Sequence, residues 1–389
     1  MQTDHPSGET DLLVIGGGIL GAFYAYHAVK RGLRVVLVER TAAPQGASVR
    51  NFGQVVPSGM NHEWQTLGRE SLKIYHSIHQ QWPLPMRQLG SIYLASDREE
   101  MTLLEELHQR NTAVDYPSEL WTAQQCRDRY PQLRSDYCRG GLYFPEELSV
   151  TPRLLIERLH GYLREQPGFQ CFFRTCVAEL QPSSNGVTVV TTDGHTVRAE
   201  KVMLCCGAEL QLLYPQVFRE SDIELVKLQM LRLEPQPQAT LPGNVLTGLT
   251  IRRYESFSEC ASWSAIKARE PKESFDKRFG IHMLFKQEPD GGIIVGDSHE
   301  YVPAREEFSF ELRGDVNDYF LAEGRKIFDL PSWNVEAAWY GVYCQTSHPT
   351  GIFTKEVEPN IHIATAIGGK GMTSSAGFAQ HDLRSIYRD

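Results

Sequence analysis

Four glycines in the stretch "DLLVIGGGILG" (residues 11–21) can expose backbone to a phosphate group. Gly16, Gly18 and Gly21 have the spacing G-x-G-x-x-G directly after an apolar run. The first glycine permits a tight turn, the second lets the backbone approach a pyrophosphate, and the third lets a helix pack closely on a strand. The N-terminus of that helix offers free N–H groups and a partial positive charge. The pattern predicts a phosphate site, although a glycine turn that serves only packing has the same spacing.

An acid follows where a dinucleotide site needs one. Glu39 ends the apolar run "RVVLVE", and its carboxylate can accept hydrogen bonds from both hydroxyls of an adenosine ribose. A negative charge there disfavours a 2′-phosphate, which argues against NADP and leaves FAD or NAD. Apolar residues recur at helical spacing from Ile19 to Val29, between the two apolar runs. The segment is therefore predicted to be a strand, a helix and a strand.

The composition is that of an ordinary soluble globular protein. Of the 389 residues, 41% are hydrophobic and 22% are charged, and the net charge is −9. This acidic balance argues against a nucleic-acid partner, and no apolar run has the length of a membrane span. The chain shows no secretion signal, and its eight cysteines have no C-x-x-C spacing. We therefore expect reduced thiols, no metal site and a cytoplasmic location, while the oligomeric state stays open.

The order of the predicted elements indicates an α/β fold combined with antiparallel β structure. Glycine-rich segments lie near both ends of the chain, whereas residues 223–300 are predicted to be mostly strands, among them "LTIRRYESF" (249–257). A chain of this length is expected to form two domains. We predict a Rossmann-type nucleotide domain from residues 1–75, 140–222 and 331–389, interleaved with a mainly antiparallel substrate domain from residues 76–139 and 223–330.

Several stretches together resemble the D-amino-acid-oxidase-like FAD oxidoreductases, which include glycine oxidase and sarcosine oxidase. These stretches are "VIGGGILG…VLVE", "GASVRNFGQV" (46–55), "GGLYFPEELSVTPRLLIERL" (140–159), "KVMLCCGA" (201–208) and "IHIATAIGGKGMTSSAG" (361–377). The resemblance covers nearly the whole chain and implies that the nucleotide is FAD. Cys344 lies one residue away from the position at which sarcosine oxidases tether their flavin, so we predict non-covalent FAD.

The resemblance also implies which residues bind FAD. The loop after the acid would lie along the flavin, and the C-terminal glycine cluster would begin a helix beside the carbonyl end of the flavin ring. Val177 would contact adenine through its backbone, and Gly207 would flank the pyrophosphate. The predicted cofactor-binding residues are Gly16, Gly18, Ile19, Leu20, Gly21, Glu39, Arg40, Ser48, Arg50, Asn51, Phe52, Gly53, Gln54, Val177, Gly207, Gly369, Lys370, Gly371, Met372 and Thr373.

Departures from the family narrow the choice of substrate. Glycine oxidase holds the substrate carboxylate with an arginine that aligns with Tyr343 here, and sarcosine oxidase uses two basic residues that align with Val56 and Thr373. Residues 249–257 and "GGIIVGDSHEY" (291–301) resemble instead a subgroup of FAD oxidoreductases found with phosphonate-degradation enzymes. That subgroup is thought to act on 2-aminoethylphosphonate and its N-methyl derivative. The resemblance therefore implies a small anionic amine as substrate.

An arginine matches a phosphonate with paired hydrogen-bond donors. In a strand, Arg252 and Arg253 would point to opposite faces, and we favour Arg252, with Tyr254 on the same face, for the pocket. The alternative is that both arginines are surface charges on an edge strand. His282 and His299 lack the spacing of metal ligands, and we interpret them as hydrogen-bonded polar residues. The predicted substrate-binding residues are Arg252, Tyr254, Tyr343 and Gln345, and the predicted catalytic residues are Lys370 and Tyr343.

The expected reaction oxidises an amine to an imine, which water hydrolyses to an aldehyde and ammonia or methylamine. In sarcosine oxidase a lysine that aligns with Ile294 here speeds the reaction with oxygen; in this chain Lys370 can supply a positive charge instead. We predict an oxidase that uses molecular oxygen and forms hydrogen peroxide. The alternatives are a dehydrogenase that passes electrons to a carrier, an enzyme for a small secondary amino acid such as sarcosine, and a flavoprotein without turnover.

Overall fold

The computed structural model describes residues 9–387, which form two large β-sheets and one small sheet. The strands are β1 (Glu9–Ile15), β2 (Val35–Glu39), β3 (Gln54–Val55), β4 (Met86–Arg87), β5 (Ser91–Ala95), β6 (Glu119–Thr122), β7 (Gly140–Phe144), β8 (Leu148–Val150), β9 (Phe169–Phe173), β10 (Val177–Ser183), β11 (Gly186–Thr191), β12 (Thr196–Leu204), β13 (Glu224–Leu233), β14 (Asn244–Leu246), β15 (Leu284–Gln287), β16 (Ile293–Gly296), β17 (Glu300–Pro303), β18 (Val335–Gln345), β19 (Phe353–Glu358) and β20 (Ile361–Thr365).

Helices cover these sheets and connect their strands. They are α1 (Ile19–Lys30), α2 (Ala47–Arg50), α3 (His62–Gln81), α4 (Arg98–Ala113), α5 (Ala123–Arg129), α6 (Pro152–Arg164), α7 (Pro215–Arg219), α8 (Gly248–Ile251), α9 (Glu255–Ser258), α10 (Trp263–Arg269), α11 (Phe275–Arg278), α12 (Gly314–Ile327) and α13 (Gly371–Tyr387), with short 3-10 turns at Pro57–Gly59 and Gly368–Lys370. Among the helices of residues 9–387, none is both long and apolar enough to span a bilayer.

The first large sheet has a parallel centre. Its strands lie in the order β10-β11-β12-β1-β2-β9, and β20 pairs with β12 and β19. β1 and β2 run parallel to each other and consist of the two apolar runs, whose side chains are mostly buried because helices or other chain segments cover both faces. Helix α1 connects these strands, so the predicted strand, helix and strand form. The helices α1, α3, α6 and α13 share one apolar core on this sheet.

The second large sheet is mainly antiparallel. Its strands lie in the order β17-β13-β16-β15-β14-β5-β7-β6, and β18 pairs along the whole of β13. Two apolar cores pack against it, one of which includes residues of α12. The small sheet β3-β8-β4 includes the end of the loop that follows β2. A parallel-centred sheet beside an antiparallel one is the fold class that the order of elements predicts.

Two strands fall differently from the predicted domain boundaries. Both β7 and β18 belong to the second sheet, although the boundaries group their residues with the glycine-rich segments. The antiparallel sheet therefore takes its strands from two stretches of chain, β5–β7 and β13–β18, and the strands β9–β12 of the first sheet lie between them in the sequence. The division into two domains stays a proposal. Residues 1–8 and 388–389, the outermost residues of the predicted nucleotide domain, lie outside the described residues. The expectation of no secretion signal rests partly on residues 1–8.

Candidate active site

The glycine-rich turn between β1 and α1 brings two backbones into direct contact. Gly16 has a φ of +105°, and a side chain there would clash with the carbonyl group of Cys205 at the end of β12. A side chain at Gly21 would clash with the carbonyl oxygen of Gly16. Both positions therefore require glycine, since backbone atoms occupy the space that a Cβ atom needs. The turn places the N-terminus of α1 beside the carboxyl ends of β1 and β2.

The carboxylate of Glu39 is held in place at the end of β2. Its Oε2 accepts a hydrogen bond from the backbone N–H of Gly17 at 3.0 Å, and its Oε1 accepts from the N–H of Thr41 at 3.0 Å and from the Thr41 hydroxyl at 2.7 Å. The hydroxyl of Ser48 caps α1, because its Oγ accepts from the N–H of Ile19 at 2.9 Å. These bonds orient an acid and a helix N-terminus toward one cleft.

Two cavities form this cleft and share part of their walls. A cavity of about 460 Å³ surrounds Glu39, and a cavity of about 360 Å³ extends to the second sheet. Residues that line both are Gly18, Ala47, Ser48, Cys205, Gly207 and Ala208. The two cavities therefore form one long groove with the N-terminus of α1 at its middle. Such a groove suits an elongated dinucleotide whose pyrophosphate lies at the helix N-terminus.

The predicted cofactor-binding residues fall along this groove, with one exception. The Glu39 cavity contains Gly16, Gly18, Glu39, Arg40, Ser48, Arg50, Val177 and Gly207. The second cavity contains Ile19, Leu20, Asn51, Phe52, Gly53, Gln54, Gly369, Lys370, Gly371, Met372 and Thr373. Gly21 lies outside both, and its contact with Gly16 is the helix–strand packing that the spacing predicts.

The C-terminal glycine cluster places a second helix N-terminus in the groove. Helix α13 begins at Gly371, directly after the 3-10 turn Gly368–Lys370, and both line the second cavity. The ammonium group of Lys370 lies 3.2 Å from Oε1 of Glu255 and 5.5 Å from the centre of the Trp64 ring. A partial positive charge from α13 and a paired lysine therefore lie at this end of the groove.

Beyond the predicted cofactor-binding residues, the second cavity ends in a polar wall. Arg253 lines it without a carboxylate partner among the described residues; its Nε donates to Nε2 of His282 at 2.9 Å and its Nη2 to the hydroxyl of Tyr301 at 3.2 Å. The rest of this wall consists of Tyr254, Asp297, His299, Tyr343 and Gln345. The guanidinium group therefore keeps donors for an anion that enters the cavity.

A family profile described as FAD dependent oxidoreductase matches residues 11–381 of the chain. The chain belongs to this family. It is a flavoenzyme that uses FAD, so the predicted cofactor and fold class are confirmed. Its fold is also that of glycine oxidase from Geobacillus kaustophilus, with a TM-score of 0.78 at 18% identity over 98% of this chain and 96% of that one.

Curated relatives match the flavoenzyme over part of its length. The mitochondrial pyruvate dehydrogenase phosphatase regulatory subunit of Mus musculus is 27% identical over 202 residues, which are 51% of this chain and 23% of the relative. The mitochondrial dimethylglycine dehydrogenase of Rattus norvegicus is 25% identical over 202 residues, 51% of this chain and 24% of the relative. The chain covers about a quarter of the length of these two relatives.

The structure corrects the interpretation of Arg252 and of the segment around it. Residues 248–251 form the helix α8 instead of a strand, and Arg252 follows as its C-cap. Its guanidinium nitrogens lie 2.7 Å from Asp97 and 2.9 Å from Glu100, and two further carboxylates, Glu99 and Glu270, complete an acidic cluster outside the cavity. In a helical turn, neighbouring residues are about 100° apart instead of 180°. Arg253 and Tyr254 therefore both reach the cavity, and Arg253 replaces Arg252 as the candidate.

Sequence reasoning missed two buried charged residues close to the groove. Asp297, just after β16, lines the second cavity at 6% exposure. Lys286 on β15 is fully buried behind Gly53, with its ammonium group 2.7 Å from Glu288 and 2.8 Å from the Val150 carbonyl oxygen. Burial lowers the pKa of Lys286. Charged residues within apolar runs, "HMLFKQ" and "IIVGDS", are the signal that would have found them.

Proposed function

We propose that the flavoenzyme oxidises a small amine that carries an anionic group, with 2-aminoethylphosphonate or its N-methyl derivative as the substrate. The observation that carries this proposal is Arg253, a half-buried arginine that faces the cavity with no carboxylate partner among the described residues. An arginine in this position binds a tetrahedral anion through paired donors, and a low-dielectric wall strengthens that interaction.

We propose that the groove holds FAD along its length. Glu39 would bind the adenosine ribose, the turn at Gly16 and Gly18 would hold the pyrophosphate, and the N-terminus of α13 would face the flavin ring. FAD supplies the acceptor for the hydride that leaves the carbon bearing nitrogen. Water then converts the imine to phosphonoacetaldehyde with release of ammonia or methylamine. We propose that the cofactor is not covalently bound.

Uncharged residues at three positions support an anion other than an α-carboxylate. Tyr343 lies in the wall of the cavity where glycine oxidase is expected to have its arginine. The backbone N–H of Val56 donates to the hydroxyl of Thr373 at 3.2 Å, so the two positions that align with basic residues of sarcosine oxidase bond to each other. Arg253 is thus the basic residue of this polar wall. It follows α8 in the chain, a different place from the arginine of glycine oxidase and the basic residues of sarcosine oxidase.

Two other functions are distinguishable by experiment. One is the oxidation of a small secondary amino acid, which the likeness to dimethylglycine dehydrogenase favours, because Arg253 would also bind a carboxylate. The other is a flavoprotein without turnover.

We further propose molecular oxygen as the electron acceptor, with hydrogen peroxide as product, and the positive charge of Lys370 beside the groove supports this choice.

A panel of amines under anaerobic conditions tests the proposal. 2-Aminoethylphosphonate, its N-methyl derivative, glycine, sarcosine and D-alanine are each mixed with the purified flavoenzyme, and the loss of flavin absorbance is followed. We expect a phosphonate to reduce the flavin with the highest ratio of rate to half-saturating concentration. A clear preference for glycine, sarcosine or D-alanine would contradict the phosphonate substrate, and no reduction by any amine would favour the protein without turnover.

A further inference from the structure

A second charged group of the cavity wall, Asp297, has no partner for one of its oxygens. The Oδ1 atom is buried and accepts no hydrogen bond from any described residue. Nδ1 of His299 lies 4.0 Å away, but this nitrogen is bonded to the carbonyl oxygen of Gly280 at 2.8 Å. A buried carboxylate oxygen without a donor is costly, and most such atoms in folded proteins are satisfied. The wall therefore has a place for a donor that comes from outside the chain.

Arg253 is the cation of the cavity wall whose charge acts on the carboxylate of Asp297. Burial lowers the pKa of His299 to about 3 and holds that of His282 well below its ordinary value, so both rings are neutral. Burial also raises the pKa of the Tyr254 phenol. Titratable and charged groups that share the cavity with Asp297 are Cys205, Arg253, Tyr254, Glu255, His282, His299, Tyr301, Tyr343, Cys344 and Lys370. Of these, Glu255 and Lys370 pair with each other.

We propose that Asp297 binds the ammonium group of the substrate through Oδ1, while Arg253 binds the anionic group at the other end. This inference rests on the proposed function, and it specifies the substrate as a zwitterion read by two opposite charges. Arg253 and Asp297 lie in the same wall and do not form an ion pair with each other, so both charges remain for a ligand. A short zwitterion satisfies both, whereas a simple amine leaves the charge of Arg253 unpaired and a simple anion leaves that of the buried Asp297 unpaired.

The same contact prepares the amine for oxidation. An ammonium group cannot release a hydride from its carbon, so one proton must leave the nitrogen first. With the ammonium bound, Oδ1 of Asp297 is the base within reach: the N–H bond breaks, its electron pair stays on nitrogen, and the proton moves to the carboxylate. Burial raises the pKa of Asp297 to about 7, opposed by a hydrogen bond from its own backbone N–H and by the charge of Arg253, and this brings the carboxyl closer to the amine in basicity.

The test compares two ligands that differ by the amino group alone. Ethylphosphonate has the anion of 2-aminoethylphosphonate without the nitrogen. The dissociation constants of both ligands are measured anaerobically from the change in the flavin spectrum on binding, which for 2-aminoethylphosphonate precedes reduction of the flavin. In Asp297→Asn we expect the constant for 2-aminoethylphosphonate to rise by about tenfold or more, with the constant for ethylphosphonate unchanged. The control Asp318→Asn, at an exposed acid on α12, should change neither.

Equal affinity of Asp297→Asn and wild type for 2-aminoethylphosphonate, or an equal loss for both ligands, would overturn the inference. A second measurement follows the affinity for 2-aminoethylphosphonate as a function of pH in wild type and in Asp297→Asn, so that titration of the ligand itself cancels. Because the ionised carboxylate binds the ammonium, the ratio of wild-type to variant affinity should be highest above about pH 7 and fall as the pH drops through the pKa of Asp297. A ratio that stays constant through this range would also overturn it.

The outcome separates this inference from the proposed function. If sarcosine reduces the flavin and 2-aminoethylphosphonate does not, the phosphonate substrate is wrong, and the same comparison is made with sarcosine and methoxyacetate. A selective loss of sarcosine affinity in Asp297→Asn would then support the role of Asp297 by itself. If no amine reduces the flavin, both proposals fail.

Discussion

The two ends of the groove each present one buried acid, and the two acids differ in what holds them. Glu39 accepts hydrogen bonds from Gly17 and Thr41, close neighbours in the strand, helix and strand segment. Asp297 has an oxygen without any donor among the described residues, and the cation that acts on it, Arg253, belongs to another part of the chain. The carboxylate at the first end is already held by hydrogen bonds of the protein. At the second end Arg253 and Asp297 keep unpaired charges, to which we propose that the substrate binds.

The adjacent arginines show the same contrast within one turn of chain. Arg252 is surrounded by the carboxylates of Asp97, Glu99, Glu100 and Glu270, so its charge is neutralised by the protein. Arg253 donates hydrogen bonds to His282 and Tyr301 and forms no ion pair with a carboxylate among the described residues. A charge that the fold already pairs contributes to structure, and one that it leaves unpaired in a cavity is suited to binding.

Arg253→Met should have the largest effect on the reaction. The substitution removes the donors for the anionic group while keeping much of the side-chain volume. We expect kcat/KM for 2-aminoethylphosphonate to fall by about a hundredfold or more, since hydrogen bonds between charged groups are the strong ones. The measurement is anaerobic flavin reduction over a range of substrate concentrations, together with the FAD content of the purified variant.

Arg252→Met is the matched control for this comparison. It should leave kcat/KM of the folded protein close to wild type, but lower the thermal midpoint of unfolding, because the nearly buried carboxylate of Glu100 loses its cation. The opposite pattern, with Arg252→Met losing substrate affinity and Arg253→Met retaining it, would return the anion site to Arg252.

Glu39→Ala should weaken FAD binding at the other end of the groove. We expect the dissociation constant for FAD to rise by about tenfold to a hundredfold, because the ribose loses charge-assisted hydrogen bonds and the turn at Gly17 loses its acceptor. Titration of the apoprotein with FAD, followed by flavin fluorescence, measures this change. Unchanged affinity for FAD would exclude Glu39 from the ribose site. Saturation with FAD should restore substrate affinity, since the two ends act separately.

Lys370→Met should have the smallest effect and should concern oxygen. The substitution removes a positive charge near the reduced flavin, so reoxidation in air-saturated buffer should slow more than anaerobic reduction does. We expect a change of roughly tenfold or less, because the carboxylate of Glu255 at 3.2 Å already offsets part of the charge. Glu255→Gln should shift reoxidation slightly in the opposite direction.

Equal slowing of both half-reactions in Lys370→Met would assign Lys370 to flavin or substrate binding instead. Unchanged reoxidation would favour Lys286 as the source of the positive charge. This buried lysine lies behind Gly53 on β15, opposite Ile294 of the neighbouring strand β16. Reoxidation of the wild type far slower than its reduction, with turnover restored by an artificial acceptor, would contradict the oxidase.

Short-range patterns in the sequence predicted the end of the groove that we propose for the adenosine half of FAD. The apolar runs of β1 and β2, the spacing of Gly16, Gly18 and Gly21, and the position of Glu39 lie within one continuous segment. Each of these features follows from local geometry: strand alternation, helix period, and the space that a Cβ atom needs. The family resemblance then extended this prediction to FAD, which the match over residues 11–381 confirms.

Only the tertiary structure distinguishes the residues at the end of the groove that we propose for the substrate. The sequence predicted a strand around Arg252, but the chain forms the helix α8 just before it, and the choice between Arg252 and Arg253 depends on where distant acids lie. The only local signal of Asp297 is a charged residue after an apolar run. Its burial and its unpartnered oxygen depend on segments that are distant in the chain and pack around it. Local sequence determines backbone geometry, whereas the pairing of charges is settled by contacts between segments far apart in the chain.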